Sequence, residues 1–283
     1  MSTPKPKVFI ILYSLYGHVY TLAESIKEGL ESTGSVDVSI FQVAETLSEE
    51  VLEKMHAPPK PNIPVITPAE LVQADAFFFG IPTRYGSMPS QVQSFWDATG
   101  SLWMQGALRN KFASVFFSTA GQHGGQETTA LTFMSTLVHH GIIFIPNGFA
   151  SPHLSDNSEI VGGSAWGAGT LAGPDGARQP TVKELEVAKS QGQNFAQIIA
   201  KYHEVAQPQI QPQESAAAAQ PSTVPPTAST TAQPPDPQPA AQPAPPTQTS
   251  HPSAPVSEAP SSVADSSASQ PNKRKSFLKK LFS

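Results

Sequence analysis

The sequence contains no cysteine, and this absence removes several kinds of chemistry at once. Without a thiol the chain cannot form disulfides, use a thiolate nucleophile, bind metal through sulfur, or carry prenyl or palmitoyl groups on cysteine. Long apolar runs are also missing, since no stretch approaches the roughly 20 residues that a membrane span needs. The first residues include no signal-peptide apolar segment with a cleavage site, and residue 2 is serine, so we expect neither secretion nor N-myristoylation.

Basic residues are scarce in most of the chain. The formal net charge is −5, but the last thirteen residues, "PNKRKSFLKKLFS", hold five of the 17 lysines and arginines and no acid. The remainder therefore has 22 acids against 12 bases. A nucleic-acid-binding domain carries positive charge on its folded surface, so we expect no nucleic-acid partner. Because a signal peptide and a membrane span are both missing from the pattern, we expect a cytoplasmic location for the body of the protein.

Proline divides the chain into a foldable part and a remainder. Of the 29 prolines, 16 lie between Pro208 and Pro271, in a segment of Pro, Ala, Gln, Ser and Thr without apolar periodicity. Such a segment buries too little surface to offset its chain entropy. We therefore predict one folded domain at residues 5–205, a disordered linker at 206–271, and a basic tail at 272–283.

Within residues 5–205 apolar runs alternate with helical patterns. We predict five strands and, between and after them, helices at "TLAESIKEGLES" (21–32), "SQVQSFWDATG", "TALTFMSTLVHHG" and from Thr181 onward. The predicted strands are 7–13, 36–43, 74–81, 113–119 and 142–146. Because each connection is long enough to cross over, the pattern indicates an α/β fold with a parallel sheet between two helical layers. Ligands on such sheets bind at the carboxyl ends of the strands.

Three of those strand ends are rich in glycine, serine and threonine. They read "SLYGHV" (residues 14–19, the first loop), "GIPTRYGSMP" and "STAGQHGGQETT". Such loops before a helix present backbone amides that favour a phosphate. The first loop has neither the lysine of a triphosphate P-loop nor the three glycines of a dinucleotide loop. A single phosphate, as in a mononucleotide such as FMN, fits the pattern best, although turn chemistry alone explains any one loop.

Six stretches in order carry a resemblance to a known family: "YSLYGHV", "FGIPTRYGSMPSQ", "FWDATGSLWMQGAL", "KFASVFFSTAGQHGGQETT", "LVHHGIIFIPNGF" and "GGSAWGAGTLAGPDGARQPTVKELEVAKSQG". They resemble the flavodoxin-like NAD(P)H:quinone oxidoreductases of the WrbA type, including fungal flavodoxin-like proteins. The resemblance implies a flavodoxin-like, doubly wound five-stranded sheet of order 2-1-3-4-5, FMN as cofactor, NADPH or NADH as co-substrate, and a homotetramer.

The resemblance also implies which residues bind. Ser14, Leu15, Tyr16, Gly17, His18 and Val19 would wrap the FMN phosphate. Thr83, Arg84 and Tyr85 would line the isoalloxazine, with Ser118, Thr119, Ala120, Gly121, Gln122 and His123 at its other edge. His139 would approach from a neighbouring loop or subunit, while Tyr16 and Trp103 would border the pocket for nicotinamide and quinone. From the residues alone, a structural role stays open for both. His139 could simply bind the last carbonyls of a helix, and Trp103 could serve interface packing alone.

The resemblance implies that hydride chemistry takes place on FMN, with no catalytic side chain and no metal. The expected reaction is a two-electron, ping-pong reduction of quinones in antioxidant defence. Two alternatives stay open. A one-electron flavodoxin carrier would lack the long "GGSAWGAGTLAGPDGARQP" segment. A membrane-surface organiser that binds FMN is suggested by the tail, whose helical pattern separates apolar from basic residues and suits an anionic membrane; a basic localisation signal is the competing interpretation.

Overall fold

The computed structural model describes residues 4–206, which include the predicted folded domain. Residues 207–283 contain the predicted basic tail and all but the first residue of the predicted linker. Those two predictions therefore lie outside the described residues. Within residues 4–206, none of the helices is both long and apolar enough to cross a lipid bilayer.

Strands and helices alternate along the described chain, as the apolar pattern predicts. The strands are β1 (Lys7–Leu12), β2 (Asp37–Gln42), β3 (Ala76–Pro82), β4 (Phe112–Thr119), β5 (Ile143–Phe144), β6 (Gly163–Ser164) and β7 (Gly167–Leu171). The α-helices are α1 (His18–Ser32), α2 (Glu49–Lys54), α3 (Ser90–Asp97), α4 (Gly100–Gln105), α5 (Gln126–His139) and α6 (Val182–Ala206). Two short 3-10 helices cover Pro68–Gln73 and Pro152–Ser155.

One sheet runs through the domain in the order β2-β1-β3-β4-β7-β6, and β5 also pairs with β4. All pairings are parallel except that of β6 with β7. The predicted flavodoxin-like α/β fold is confirmed. Its order 2-1-3-4-5 holds when β5 and β7 are counted together as the fifth position.

That fifth position is divided between two segments. β5 pairs only with the beginning of β4, where Ile143 lies opposite Phe112, whereas β7 pairs with β4 from Val115 to Thr119. The sequence predicts only the first segment, at 142–146. β7 reads "GAGTL", and glycine weakens a strand pattern. Here glycine is needed, because a Cβ at Gly167 would collide with the carbonyl oxygen of Val115.

Alternate residues of the central strands supply two separate cores. From β1, Phe9 and Ile11 face the layer of α3, α4 and α5, where Phe79, Trp96 and Phe133 form an aromatic cluster. The residues between them, such as Ile10, face α1 and α6. Both sets are buried, because a parallel sheet is covered on both faces.

Helices α1 and α6 approach each other at two glycines. A Cβ on Gly29 would meet the carbonyl oxygen of Lys189, and one on Gly192 would meet that of Ile26. This contact brings the backbone of α6 against α1 and fixes the direction in which α6 begins. Thr181 caps α6 as predicted: its hydroxyl accepts the Glu184 amide at 3.3 Å, and its own amide donates to the Glu184 carboxylate at 2.9 Å.

Candidate functional site

A cavity of about 760 Å³ opens at the carboxyl ends of β1, β3 and β4. Parallel strands end at the same edge of a sheet, so the loops that follow them converge there. The segment after β7 forms a fourth wall, and the end of α2 contributes a fifth group of lining residues. The volume of this cavity lies in the range of small-molecule and cofactor sites.

The first loop forms one wall and leads directly into α1. Gly17 precedes the helix at φ 90°, a left-handed conformation that other residues adopt only under strain. The Ser14 hydroxyl accepts the Tyr20 amide at 3.4 Å, which curls the loop over the helix start. Within residues 4–206 the backbone amides of residues 15–19 make no hydrogen bonds, so five consecutive donors remain for an anion.

Thr83 and Arg84 line the wall that follows β3. The Thr83 hydroxyl lies 2.9 Å from the hydroxyl of Thr129. The Thr83 backbone amide donates to the Ser118 carbonyl, which joins this wall to the wall that follows β4. The Arg84 guanidinium donates to the Thr83 carbonyl at 3.0 Å. Among the described residues it has no carboxylate within salt-bridge distance, so its charge is available to a ligand.

Ser118, Thr119 and Ala120 form the wall that follows β4. Gln126, at the start of α5, supports it from behind: its side-chain amide donates to the Thr119 hydroxyl at 3.1 Å and to the Thr170 carbonyl at 3.0 Å. The Gln126 carbonyl oxygen accepts the Gly163 amide at 2.7 Å. One buried glutamine thus ties the pocket wall to β6 and β7.

Residues 172–176 form the fourth wall, which the sequence analysis did not assign to the site. An ion pair holds it, in which the partly exposed Arg178 lies 3.0 Å from the fully buried carboxylate of Glu184. The same guanidinium donates to the carbonyls of Leu171 and Ile160. The Arg178 carbonyl lies 2.9 Å from His18 Nε2, so this wall is joined to the first loop.

Met55 and His56, just after α2, also line the cavity and were not predicted. The Tyr16 hydroxyl donates to the Met55 carbonyl at 3.1 Å, which fastens this segment to the first loop. His56 adopts φ 52°, an uncommon conformation for a residue with a Cβ. The glycines and proline of "AGPDG" were a signal that could have identified the 172–176 wall, but α2 carried no comparable signal.

Ten of the predicted binding residues line the cavity: Ser14, Leu15, Tyr16, His18, Val19, Thr83, Arg84, Ser118, Thr119 and Ala120. Gly17 shapes the loop without lining it. Tyr85 sits in a tight turn at φ 53° with a fully exposed side chain, and Gly121, Gln122 and His123 are exposed beyond the rim. For these residues a binding role stays a prediction.

Trp103 and His139 lie together elsewhere, in a second cavity of about 390 Å³. Exposed Met104 and Val138 also line it. Next to it, His140 is buried, with Nε2 3.0 Å from the Thr99 hydroxyl, and burial followed by the neighbouring charge of His139 lowers the pKa of this imidazole. The fold therefore brings two residues with predicted binding roles together in the second cavity, and neither of them lines the first.

A charged cluster lies directly behind the first loop. Burial acts to raise the pKa of Glu45, but hydrogen bonds from Lys60, the Leu47 amide, Tyr13 and Gln91 outweigh it and lower that pKa to about 2. The Tyr13 pKa is raised, first by burial and then by its hydrogen bond to the carboxylate. Glu45 is therefore a carboxylate at neutral pH, and Tyr13 is a neutral donor to it.

Comparison with known proteins identifies the chemistry associated with this chain's relatives. The profile of the NADPH-dependent FMN reductase family matches residues 6–156. NAD(P)H quinone oxidoreductase PST2 of Candida albicans is 54% identical over 198 residues, which make up 70% of this chain and 98% of that protein. Quinone-oxidoreductase QR2 of Triphysaria versicolor is 54% identical over 196 residues, 69% of this chain and 96% of that protein.

A solved structure described as a WrbA-like flavodoxin from Agrobacterium tumefaciens is 21% identical to this chain. The comparison has a TM-score of 0.49 and covers 70% of this chain and 99% of that one.

Proposed function

The chain belongs to the NADPH-dependent FMN reductase family, and we propose that it is an FMN-dependent NAD(P)H:quinone oxidoreductase. The observation that carries this proposal is the row of five unpaired amides at the end of β1, placed in a cavity of cofactor size. The relatives named for quinone reduction cover the whole described domain, so the proposal concerns the same residues.

The residues of the cavity fit FMN. The amides of residues 15–19 and the positive end of the α1 dipole suit a phosphate without any lysine. Thr83, Ser118 and Thr119 offer hydroxyls and backbone groups on two adjoining walls, and a planar ring system has polar edges that such groups can satisfy. Tyr16 lines the cavity and is 46% exposed, and its hydroxyl donates to the Met55 carbonyl.

FMN, when bound, supplies the hydride acceptor and donor that this reaction needs. The protein's part is to bind and orient. The Arg178 and Glu184 pair holds the 172–176 wall, Gln126 holds the Thr119 wall, and the cavity opens at the carboxyl ends of the strands. We propose that nicotinamide and quinone use this opening in turn, which gives ping-pong kinetics, with NADPH and NADH both candidates as donor.

The experiment is a quinone-reductase assay on the purified full chain reconstituted with FMN, following NADPH and then NADH oxidation with and without benzoquinone. Quinone-dependent turnover that is lost on removal of FMN supports the proposal, and parallel double-reciprocal plots support the ping-pong order. FMN binding without oxidation of either nucleotide would contradict enzyme function and favour the one-electron carrier or the membrane-surface organiser.

We further propose that the protein assembles as a homotetramer through the surface that bears Trp103. Trp103 is 55% exposed there, and Met104 and Val138, which line the same cavity, are exposed by 67% or more. Exposed apolar groups of this size favour burial against another protein surface. In such an assembly Trp103 and His139 would reach a neighbouring subunit's cavity. Light scattering of the full chain tests this, and a monomer with full FMN affinity would contradict it.

For the tail at 272–283 we propose peripheral binding at the inner face of the plasma membrane, from a cytoplasmic body. Five cations near an anionic surface contribute about 5 kcal/mol at roughly 1 kcal/mol each, and four tails would add avidity. The enzyme would then meet lipid-soluble quinones, in keeping with a role in oxidative stress. The full chain should sediment with phosphatidylserine vesicles, and this binding should require the tail. Equal binding by a chain that ends at residue 271 would refute the proposal.

A further inference from the structure

The cluster behind the first loop joins four distant parts of the chain. Glu45 follows β2, Lys60 lies in the connection after α2, Tyr13 follows β1, and Gln91 lies in the first turn of α3. The Glu45 carboxylate lies 2.8 Å from the Lys60 ammonium and accepts hydrogen bonds of 2.9 Å from both Tyr13 and Gln91. The ammonium also lies 4.3 Å from the centre of the Tyr13 ring.

Lys60 also forms a hydrogen bond with the first loop. Its ammonium donates to the backbone carbonyl of Ser14 at 3.1 Å, across 46 positions of sequence. Neither Lys60 nor Glu45 lines the cavity, whereas Ser14 and Leu15 do. The contact of Lys60 with the cavity wall is therefore made through the loop backbone.

The geometry of the peptide bond determines which loop group the contact between Lys60 and the Ser14 carbonyl orients. In a planar trans peptide the carbonyl and the following N–H point in opposite directions. Because Lys60 holds the Ser14 carbonyl, the Leu15 N–H of the same peptide points away from Lys60, and it has no acceptor within residues 4–206. A hydrogen bond from a cation also polarises the peptide and strengthens its N–H as a donor.

We propose that Lys60 is a positioning residue that aims the Leu15 amide at the flavin phosphate and so favours FMN over riboflavin. This inference rests on the proposed function. Glu45 offsets the charge of Lys60. Lys60 therefore acts by orienting the Leu15 N–H, and the pair adds no net positive charge near the phosphate. The first loop itself contains no lysine. The fold brings one to its backbone from behind.

The experiment compares flavin dissociation constants of Lys60→Met and wild-type full chains, freed of flavin and titrated with FMN or riboflavin by fluorescence quenching. The expected result is an FMN dissociation constant raised about tenfold, the size of one charge-assisted hydrogen bond, with riboflavin affinity within twofold of wild type. The difference should persist in 1 M NaCl, where the Debye length is about 3 Å and general electrostatic attraction is screened.

Two variants serve as controls. Lys54→Met removes an exposed lysine paired with Glu50 on nearby α2 and should leave both affinities unchanged. Lys60→Arg keeps a cationic donor and should stay within threefold of wild type for FMN. If Lys60→Met does not fold, Glu45→Gln replaces it. That change removes the carboxylate that holds the ammonium, so FMN affinity should fall at least threefold while riboflavin affinity is kept.

Two results would overturn the inference. Unchanged FMN affinity would show that the Ser14 contact does not aim the amide. Equal losses for FMN and riboflavin would show a general loosening of the pocket. In both cases wild-type FMN binding leaves the proposed function intact, whereas a wild-type chain that binds no FMN would overturn the function and the inference together.

Discussion

Replacing Arg178 with methionine should destabilise the protein strongly, because the partner it leaves is fully buried. Glu184 has no exposed surface, and Arg178 lies 3.0 Å from its carboxylate. Removing one member of a buried pair costs about 3–5 kcal/mol. Since the carboxylate keeps donors from Gly162, Thr170 and Thr181, we expect the lower end, about 3 kcal/mol.

The assay is thermal unfolding of the full chain in its FMN-bound form. For a domain of this size, a loss of about 3 kcal/mol lowers the melting temperature by roughly 6–12 °C. FMN should also bind more weakly, since the Arg178 segment contacts His18 and the preceding residues line the cavity. Urea unfolding of the flavin-free form separates the loss of fold stability from the loss of bound ligand.

Lys183→Met is the matched control. Lys183 also forms two ion pairs, with Asp156 at 2.6 Å and Glu159 at 3.0 Å, but the partners' side chains are 34% and 43% exposed. Exposed ion pairs contribute little, so its melting temperature should fall by less than about 3 °C. Equal shifts for the two variants would refute the reasoning that burial of the acidic partner decides the cost.

Further expectations concern pH and packing. The pKa of Glu45 is lowered to about 2 from an ordinary value near 4.5, so its contribution to stability is present above the ordinary value and is lost as pH falls toward 2. Urea unfolding at pH 6, 4 and 3 should show a shallower loss in Glu45→Gln than in wild type, and parallel losses would contradict this. Gly192→Ala should cost about 1–3 kcal/mol in urea unfolding, because its Cβ meets the Ile26 carbonyl, while Gly100→Ala, with open space around it, should cost nothing. A neutral Gly192→Ala would mean that α1 and α6 can move apart freely.

The sequence predicts those parts of the molecule whose pattern is local. The buried strands β1, β3 and β4 are continuous apolar runs, and their positions agree with the prediction within about two residues. The loops that follow them are marked by glycine and hydroxyl residues, and each supplies lining residues to the cavity. Local chemistry is sufficient in these cases because the strand pattern alone places the loops at one sheet edge.

Other features depend on contacts that no local pattern records. β7 forms a strand despite its glycines because β4 offers it hydrogen bonds and allows no side chain at Gly167. Lys60 reaches the first loop across 46 residues, and no spacing rule points to it. His139 and Trp103 come from α5 and α4 and share the second cavity, and no local pattern brings them together.

The division of the fifth strand position has a consequence for local opening. On one side of β4, β5 pairs with the beginning of the strand and β7 with its second half, whereas β3 pairs along the other side from Phe112 to Ser118. Release of β6, β7 and the segment that follows would remove one wall of the cavity without disturbing the pairing of β1, β2 and β3. Amide hydrogen exchange should therefore show two groups in the sheet, with β7 exchanging by a cheaper opening than β1 and slowing further when FMN is bound. The opening of β6, β7 and the segment that follows them would then set the rate at which the cofactor enters and leaves the cavity.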